Sequence, residues 1–174
     1  MDQMKQRSNT RIIAIGGVLT ALTLVCLYAA SFVPAIELTL YALSSIFIPA
    51  MMIETKGKGG WVLYIACSLL ALLILPNKVG AFPYIFFFGI YGIIKYYIEK
   101  IKSPVIQVVL KLAVFTTIMV VFYFFFYNLF FGVISLPNLP ILVLLVAGEV
   151  LFILYDAILS LIITYYYNSI HSRI

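Results

Sequence analysis

The sequence has little charge. Of its 174 residues, 10% are charged and 65% are hydrophobic, and the mean hydropathy is +1.17. An average soluble domain carries about 25% charged residues. This balance excludes an ordinary soluble domain and predicts an all-α membrane protein.

Histidine and cysteine are scarce as well. The one histidine, His171, lies near the end of the chain, and Cys26 and Cys67 each lie in an apolar segment. These positions offer no set of ligands for zinc and no disulfide framework. The sequence also has no HExxH motif, and the glycine-rich turn at 57–60 lacks the strand and the Ser/Thr of a phosphate-binding loop. We therefore expect no enzymatic activity, no metal and no cofactor.

What the sequence has in abundance is long apolar segments. Prolines, glycines and charged turns divide it into six predicted helices. We place them at about 12–33, 38–53, 61–75, 82–98, 104–131 and 141–167. The predicted fold is a single domain, residues 1–174, forming a compact bundle of six transmembrane helices.

The basic residues do not form a stripe, so the net charge of +5 does not indicate a nucleic-acid partner. They lie between the apolar segments, where they report membrane orientation. In the six-helix arrangement Lys78 is the one basic residue of the outer loops. The loops on the side of the termini hold Lys5, Arg7, Arg11, Lys56, Lys58, Lys95, Lys100, Lys102 and Arg173. The positive-inside rule then predicts that both termini are cytoplasmic.

The last predicted helix carries two carboxylates, Glu149 and Asp156. Each costs about 3 kcal/mol near the centre of a membrane span. Seven residues correspond to about 700° of helical rotation, so both groups project from one side, about 10 Å apart along the axis. Ser160 continues that stripe. We expect the stripe to face other helices or a wet cavity, since lipid is its worst neighbour.

Depth suggests separate roles for the two acids. Glu149 lies roughly 12 Å from the outer end of the helix and Asp156 roughly 22 Å. For Glu149 we consider contact with a ligand, pairing with Lys78, or a hydrogen bond between helices. For Asp156 we favour a role in helix packing, with a Ser or Tyr as hydrogen-bond partner. Lys111 is expected to extend to the cytoplasmic surface.

Further polar and aromatic residues lie near the outer ends of the predicted helices. Together they predict an outward-facing cavity with aromatic walls and a few polar groups, which is typical of small-molecule sites. The candidate substrate-binding residues are Glu149, Tyr127, Asn128, Tyr123, Lys78, Asn77, Glu37 and Tyr84.

The first predicted helix has a face of small residues, Ala14, Gly17 and Ala21. Spacing of this kind lets another helix approach closely. Packing inside the bundle and docking of a partner protein both explain it, and we leave the two open.

In size, helix number, predicted orientation and the small-residue face, the chain resembles the substrate-binding S component of energy-coupling factor (ECF) transporters of bacteria. The resemblance implies a bacterial plasma-membrane protein that binds a vitamin-like small molecule in an outward-facing pocket. In that family a motif of the type Ala-x-x-x-Ala docks a transmembrane coupling subunit, which sits on a pair of ATPases. The matching positions are Gly17 with Ala21, or Ala14 with Val18, and the glycine and the valine depart from the motif.

Two other classes of function fit the same residues. One is a structural or assembly protein of the membrane whose carboxylates only hold helices together. The other is a small proton-coupled carrier that uses Glu149 and Asp156 as relay sites.

Overall fold

The computed structural model describes the backbone of residues 2–126 and 141–169, and the side chains of 10–33, 35–121 and 146–168. Over these residues the chain is all-helical, without strands. The α-helices are α1 (Asp2–Ala30), α2 (Glu37–Ser45), α3 (Phe47–Glu54), α4 (Lys58–Ile74), α5 (Ala81–Pro83), α6 (Ile90–Ile98), α7 (Pro104–Phe126) and α8 (Ile141–Ser169). Short 3₁₀ turns cover Pro34–Ile36 and Lys78–Gly80, and a π-helix covers Tyr84–Gly89.

Five of these segments are long and apolar enough to cross a membrane. They are Thr10–Ala30, Glu37–Glu54, Lys78–Ile98, Pro104–Val121 and Val146–Asn168. The sixth apolar helix, Lys58–Ile74, has 17 residues and is shorter than the roughly 20 that a span normally needs. The six-span bundle and the orientation of the termini stay predictions.

The helix ends and interruptions differ from the sequence-based expectation mainly in three places, and α4 also begins at Lys58 and not near residue 61. α1 begins at Asp2, ten residues before the apolar run. The expected second helix is interrupted at Ile46, because Pro49 has no N–H to bond the Ser45 carbonyl. The expected fourth helix contains the π-helix, in which the hydrogen-bond ladder is wider by one residue.

The described structure comprises two compact units, residues 1–97 with 161–174, and residues 98–160. We call them unit 1 and unit 2. In unit 1, α1 packs against α2, α3 and α4, and the π-helix packs against α2 and α4. Its core includes Leu27, Tyr41, Ile48, Met52 and Ile93, each at most 1% exposed.

The turn after α3 requires a glycine at position 57. Lys56 and Gly57 both have left-handed backbone, with φ of 54° and 106°. The Gly57 N–H then donates to the Met52 carbonyl at 2.8 Å, which ends the helix in a Schellman-type motif. Near the end of the chain, also in unit 1, the Tyr166 hydroxyl donates to Glu54 Oε1 at 2.9 Å.

Lys95 corrects one part of the charge count. The prediction counts Lys95 among the charges on the side of the termini, at the end of the helix 82–98, but the side chain is fully buried within α6. The apolar run continues past Lys95 to Ile98, so the helix includes it. The correction concerns Lys95 alone, and the assignment of the other basic residues is unchanged.

Candidate functional site

The polar stripe of α8 faces α7 within unit 2. Since Lys111 and Phe115 are four residues apart on α7, they share a face, as do Phe152 and Asp156 on α8. The two helices run antiparallel along this face and form three successive layers. The layers are Lys111 with Asp156, Phe115 with Phe152, and Thr116 with Glu149.

The first layer is an ion-pair network around the buried Lys111, with Glu99, whose side chain is 32% exposed, at its edge. Lys111 Nζ lies 2.8 Å from Asp156 Oδ2 and 3.0 Å from Glu99 Oε1. The Lys111 side chain is 10% exposed and that of Asp156 is 16% exposed. The prediction that Lys111 reaches the cytoplasmic surface was therefore wrong, because two carboxylates hold its ammonium group inside the unit. Asp156 joins α8 to α7 through Lys111, where the prediction named a Ser or Tyr as the hydrogen-bond partner.

Glu99 is the member of this network that the sequence did not reveal. It precedes α7 and looked like one charge of a solvated turn. Glu99 accepts hydrogen bonds from Lys111 and, at 3.2 Å, from the Ser160 hydroxyl. It therefore contacts both α7 and α8. The one available signal was Lys111 itself, since a lysine inside an apolar run requires a counterion.

The second layer is aromatic. The rings of Phe115 and Phe152 stack with centroids 4.4 Å apart and an interplanar angle of 14°. Both residues are buried. A Cβ added at Gly148 would lie 3.6 Å from the Phe115 ring, so the small residue permits close contact of α8 with that ring. This layer separates the ion-pair network from Glu149.

The third layer contains Glu149, which is half-buried. The Thr116 hydroxyl lies 3.0 Å from Glu149 Oε1 and 2.9 Å from the Leu112 carbonyl of its own helix. Within the side chains that the structure describes, Thr116 is the one hydrogen-bond partner of Glu149, and no cation pairs with it. Glu149 thus differs from Asp156, whose charge is balanced by Lys111.

Four of the predicted site residues, Glu37, Asn77, Lys78 and Tyr84, belong to unit 1. Glu37 accepts from the Tyr41 hydroxyl at 2.7 Å. Asn77 caps the 3₁₀ turn by accepting from the Val79 N–H at 3.1 Å, and the exposed Lys78 donates to the Leu73 carbonyl at 2.9 Å. The prediction named Glu37, Asn77 and Lys78 for ligand contact, and the structure shows an intramolecular partner for each of these three.

A glycine brings two of these segments together. A Cβ added at Gly80 would lie 3.1 Å from the Tyr41 hydroxyl, so the 77–80 turn packs closely against the Glu37–Tyr41 pair. Tyr84 is fully buried, one helical turn after Gly80, and its hydroxyl lies beside the Cys67 thiol. Tyr123, Tyr127 and Asn128 lie outside the residues whose side chains the structure describes.

The small-residue face of α1 is open. Ala14, Gly17 and Ala21 are exposed, and a Cβ added at Gly17 meets no described atom within 4 Å. The adjacent Gly16, in contrast, lies against Met51, with a built Cβ 3.2 Å from Met51 Cε. The face that packs inside unit 1 is thus the one beside the predicted docking stripe.

Across the described residues, no group of three His, Cys, Asp or Glu side chains is arranged to hold a metal ion. Comparisons of the chain with protein-family models, curated proteins and solved structures return no significant match. The apolar helices indicate a multi-pass membrane protein, and its site has two polar layers with an aromatic layer between them.

Proposed function

We propose that this protein is the substrate-binding membrane subunit of an ECF-type importer, with Glu149 as a ligand contact. The observation that carries the proposal is the difference between the two acids of α8. Asp156 is neutralised by Lys111, whereas Glu149 receives one hydrogen bond from a neutral hydroxyl. Among the described side chains no cation balances Glu149, and intramembrane carboxylates are costly groups that mark substrate and ion sites.

The proposed setting is the bacterial plasma membrane, with a vitamin-like small molecule captured from outside. The aromatic layer supports separate roles for the two polar layers, helix packing for the ion-pair network and ligand contact for Glu149, because it lies between them. The open face of α1 supports docking of a coupling subunit, which would be joined to a pair of ATPases. The sequence shows no ATPase motif, so import would draw its energy from such partners or from an ion gradient.

Replacement of Glu149 tests the ligand contact. Glu149→Gln removes the charge and keeps an acceptor for Thr116, so we expect loss of bound ligand with little change in thermal stability. Native mass spectrometry of the gently extracted full-length protein reads out small molecules and subunits together. A wild-type protein that carries no small molecule, or a variant that retains it, would contradict this role of Glu149.

The α1 face is tested separately with Gly17→Leu. Open space at Gly17 means that the larger side chain fits without displacing unit 1, so folding should be preserved. Co-purification of the tagged protein with a coupling subunit and ATPases should be abolished, while the small molecule stays bound. Unchanged co-purification would remove the docking role and leave the Glu149 result standing.

A structural or assembly protein is the second candidate. The observation that favours it is the ion-pair network, in which Lys111 joins the segment before α7 to α8. For such a protein, Glu149→Gln and Asp156→Asn should have the same kind of effect, on stability alone. A ligand that is lost only with Glu149→Gln distinguishes the two candidates.

A further inference from the structure

Unit 2 offers no cation that pairs with Glu149. Its basic residues are Lys100, Lys102 and Lys111, and the structure describes the side chains of all three. None of them pairs with Glu149, whose one partner among the described residues is the Thr116 hydroxyl. The stretch 122–145, whose side chains lie outside the description, contains no Lys, Arg or His. A counterion for Glu149 therefore does not come from unit 2.

Thr116 uses only part of what the Glu149 carboxylate can accept. The single hydroxyl proton of Thr116 serves two acceptors, the Leu112 carbonyl at 2.9 Å and Glu149 Oε1 at 3.0 Å. An ionised carboxylate offers about four acceptor positions on its two oxygens. Among the described residues none donates to Glu149 Oε2. The half-buried side chain thus retains capacity for further hydrogen-bond donors.

Lys111, the cation within α7, is engaged in a different layer. Its ammonium group pairs with Asp156 at 2.8 Å and with Glu99 at 3.0 Å. Thr116 lies further along α7, so its layer is displaced from that of Lys111 by about 7 Å along the helix axis. The stacked Phe115 and Phe152 rings lie between the two layers. The ion-pair network therefore leaves the charge of Glu149 unbalanced.

We infer that the ligand of Glu149 carries a positively charged nitrogen group with N–H donors, such as an ammonium, amidinium or guanidinium group. The inference rests on the proposed ligand contact of Glu149 and adds the chemical class of that ligand. Such a group supplies in one contact the charge that unit 2 lacks and the donors that Thr116 does not provide. Its charge-assisted hydrogen bonds are roughly twice as strong as neutral ones.

Three probes of similar size separate charge from shape. Benzylammonium, benzyl alcohol and benzoate share a phenyl ring, and Phe152, three residues after Glu149 on the same face of α8, gives that ring an aromatic neighbour. Each probe is added at the same millimolar concentration to the full-length protein in detergent at neutral pH. A ligand that binds only the folded protein raises the apparent Tm by mass action. We expect benzylammonium to raise the Tm more than the neutral and the anionic probe do.

Two variants assign the effect to one carboxylate. Glu149→Gln keeps an acceptor for Thr116 but removes the charge, so benzylammonium should bind at least about tenfold more weakly. Asp156→Asn is the matched control, because it removes the other carboxylate of α8, which Lys111 already balances. Its response to benzylammonium should match the wild-type response. No Tm increase with benzylammonium, an equal increase with benzyl alcohol, or an increase that persists in Glu149→Gln would overturn the inference.

These outcomes differ from a failure of the proposed importer role. A protein that prefers benzylammonium through Glu149, but co-purifies with no coupling subunit and no ATPases, binds a cation and is not such an importer. A neutral or anionic small molecule that the wild-type protein carries and Glu149→Gln loses leaves the ligand contact standing and overturns the inference. A proton that neutralises Glu149, as in a proton-coupled carrier, predicts no preference for benzylammonium and overturns it as well.

Discussion

Lys111 donates to two carboxylates that come from different parts of unit 2. Asp156 lies on α8, and Glu99 precedes α7. Removal of one partner from a buried ion pair costs much more than the pair contributes, because the remaining charge is left in a poor solvent. The three residues therefore differ in how much their loss should matter.

We expect Lys111→Met to destabilise the protein far more than Asp156→Leu does. The first variant takes the cation away from both Glu99 and Asp156, at a cost of about 3–5 kcal/mol. The second leaves the Lys111–Glu99 pair intact. Thermal unfolding in detergent measures both, and the double variant Lys111→Met/Asp156→Leu should recover part of the loss. Equal losses in the two single variants would contradict this account of the network.

At the scale of the helices, close packing concentrates around the π-helix. A Cβ added at Gly89 would lie 2.9 Å from the Tyr64 ring and 2.9 Å from the Tyr84 carbonyl oxygen. The ring also holds the hydrogen bond from Tyr64 to Ile85, so it is not free to move away. Gly89 thus lets α4 and the π-helix meet.

Gly89→Ala should lower stability by about 1–3 kcal/mol through overpacking. Gly17→Ala is the matched control, since its Cβ enters open space and alanine favours a helix by about 1 kcal/mol over glycine. The two variants are compared by thermal unfolding of the extracted protein. A neutral Gly89→Ala would mean that the contact between α4 and the π-helix is loose.

The apolar periodicity and the helix-breaking residues predicted part of the fold and of the candidate site. Proline, glycine and charge located the apolar helices, and the seven-residue spacing placed Glu149 and Asp156 on one face of α8. The sequence did not predict which side chains pair between helices, because the contact of Lys111 with Asp156 depends on the register between α7 and α8. The π-helix was hidden too, since an extra residue in one turn leaves the apolar pattern of 82–98 intact.

At the scale of the whole molecule, the basic residues predict the orientation of the chain in the membrane. Lys95 drops out of the loop charges because it is buried, yet the asymmetry of the remaining basic residues still favours cytoplasmic termini. Lys78 and Lys56 are then on opposite sides. Both lie at turns between apolar segments and are accessible to a reagent.

Cysteine labelling with a membrane-impermeant maleimide checks this orientation. Lys78→Cys should react in intact cells, and Lys56→Cys should react only after the cells are permeabilised. The wild-type protein, with Cys67 buried and Cys26 half-buried, sets the background. The reverse pattern would invert the topology, and reaction of both variants in intact cells would exclude the six-span arrangement.

The double grip on Lys111 bears on how α8 can move. If α8 were displaced from α7, the Lys111 ammonium group would lose Asp156 and keep Glu99 as its counterion. The cost of such a displacement falls on Asp156 and on the Phe115–Phe152 stack, which act as a latch. The ion pair and the ring stack together fix the register of α8 against α7.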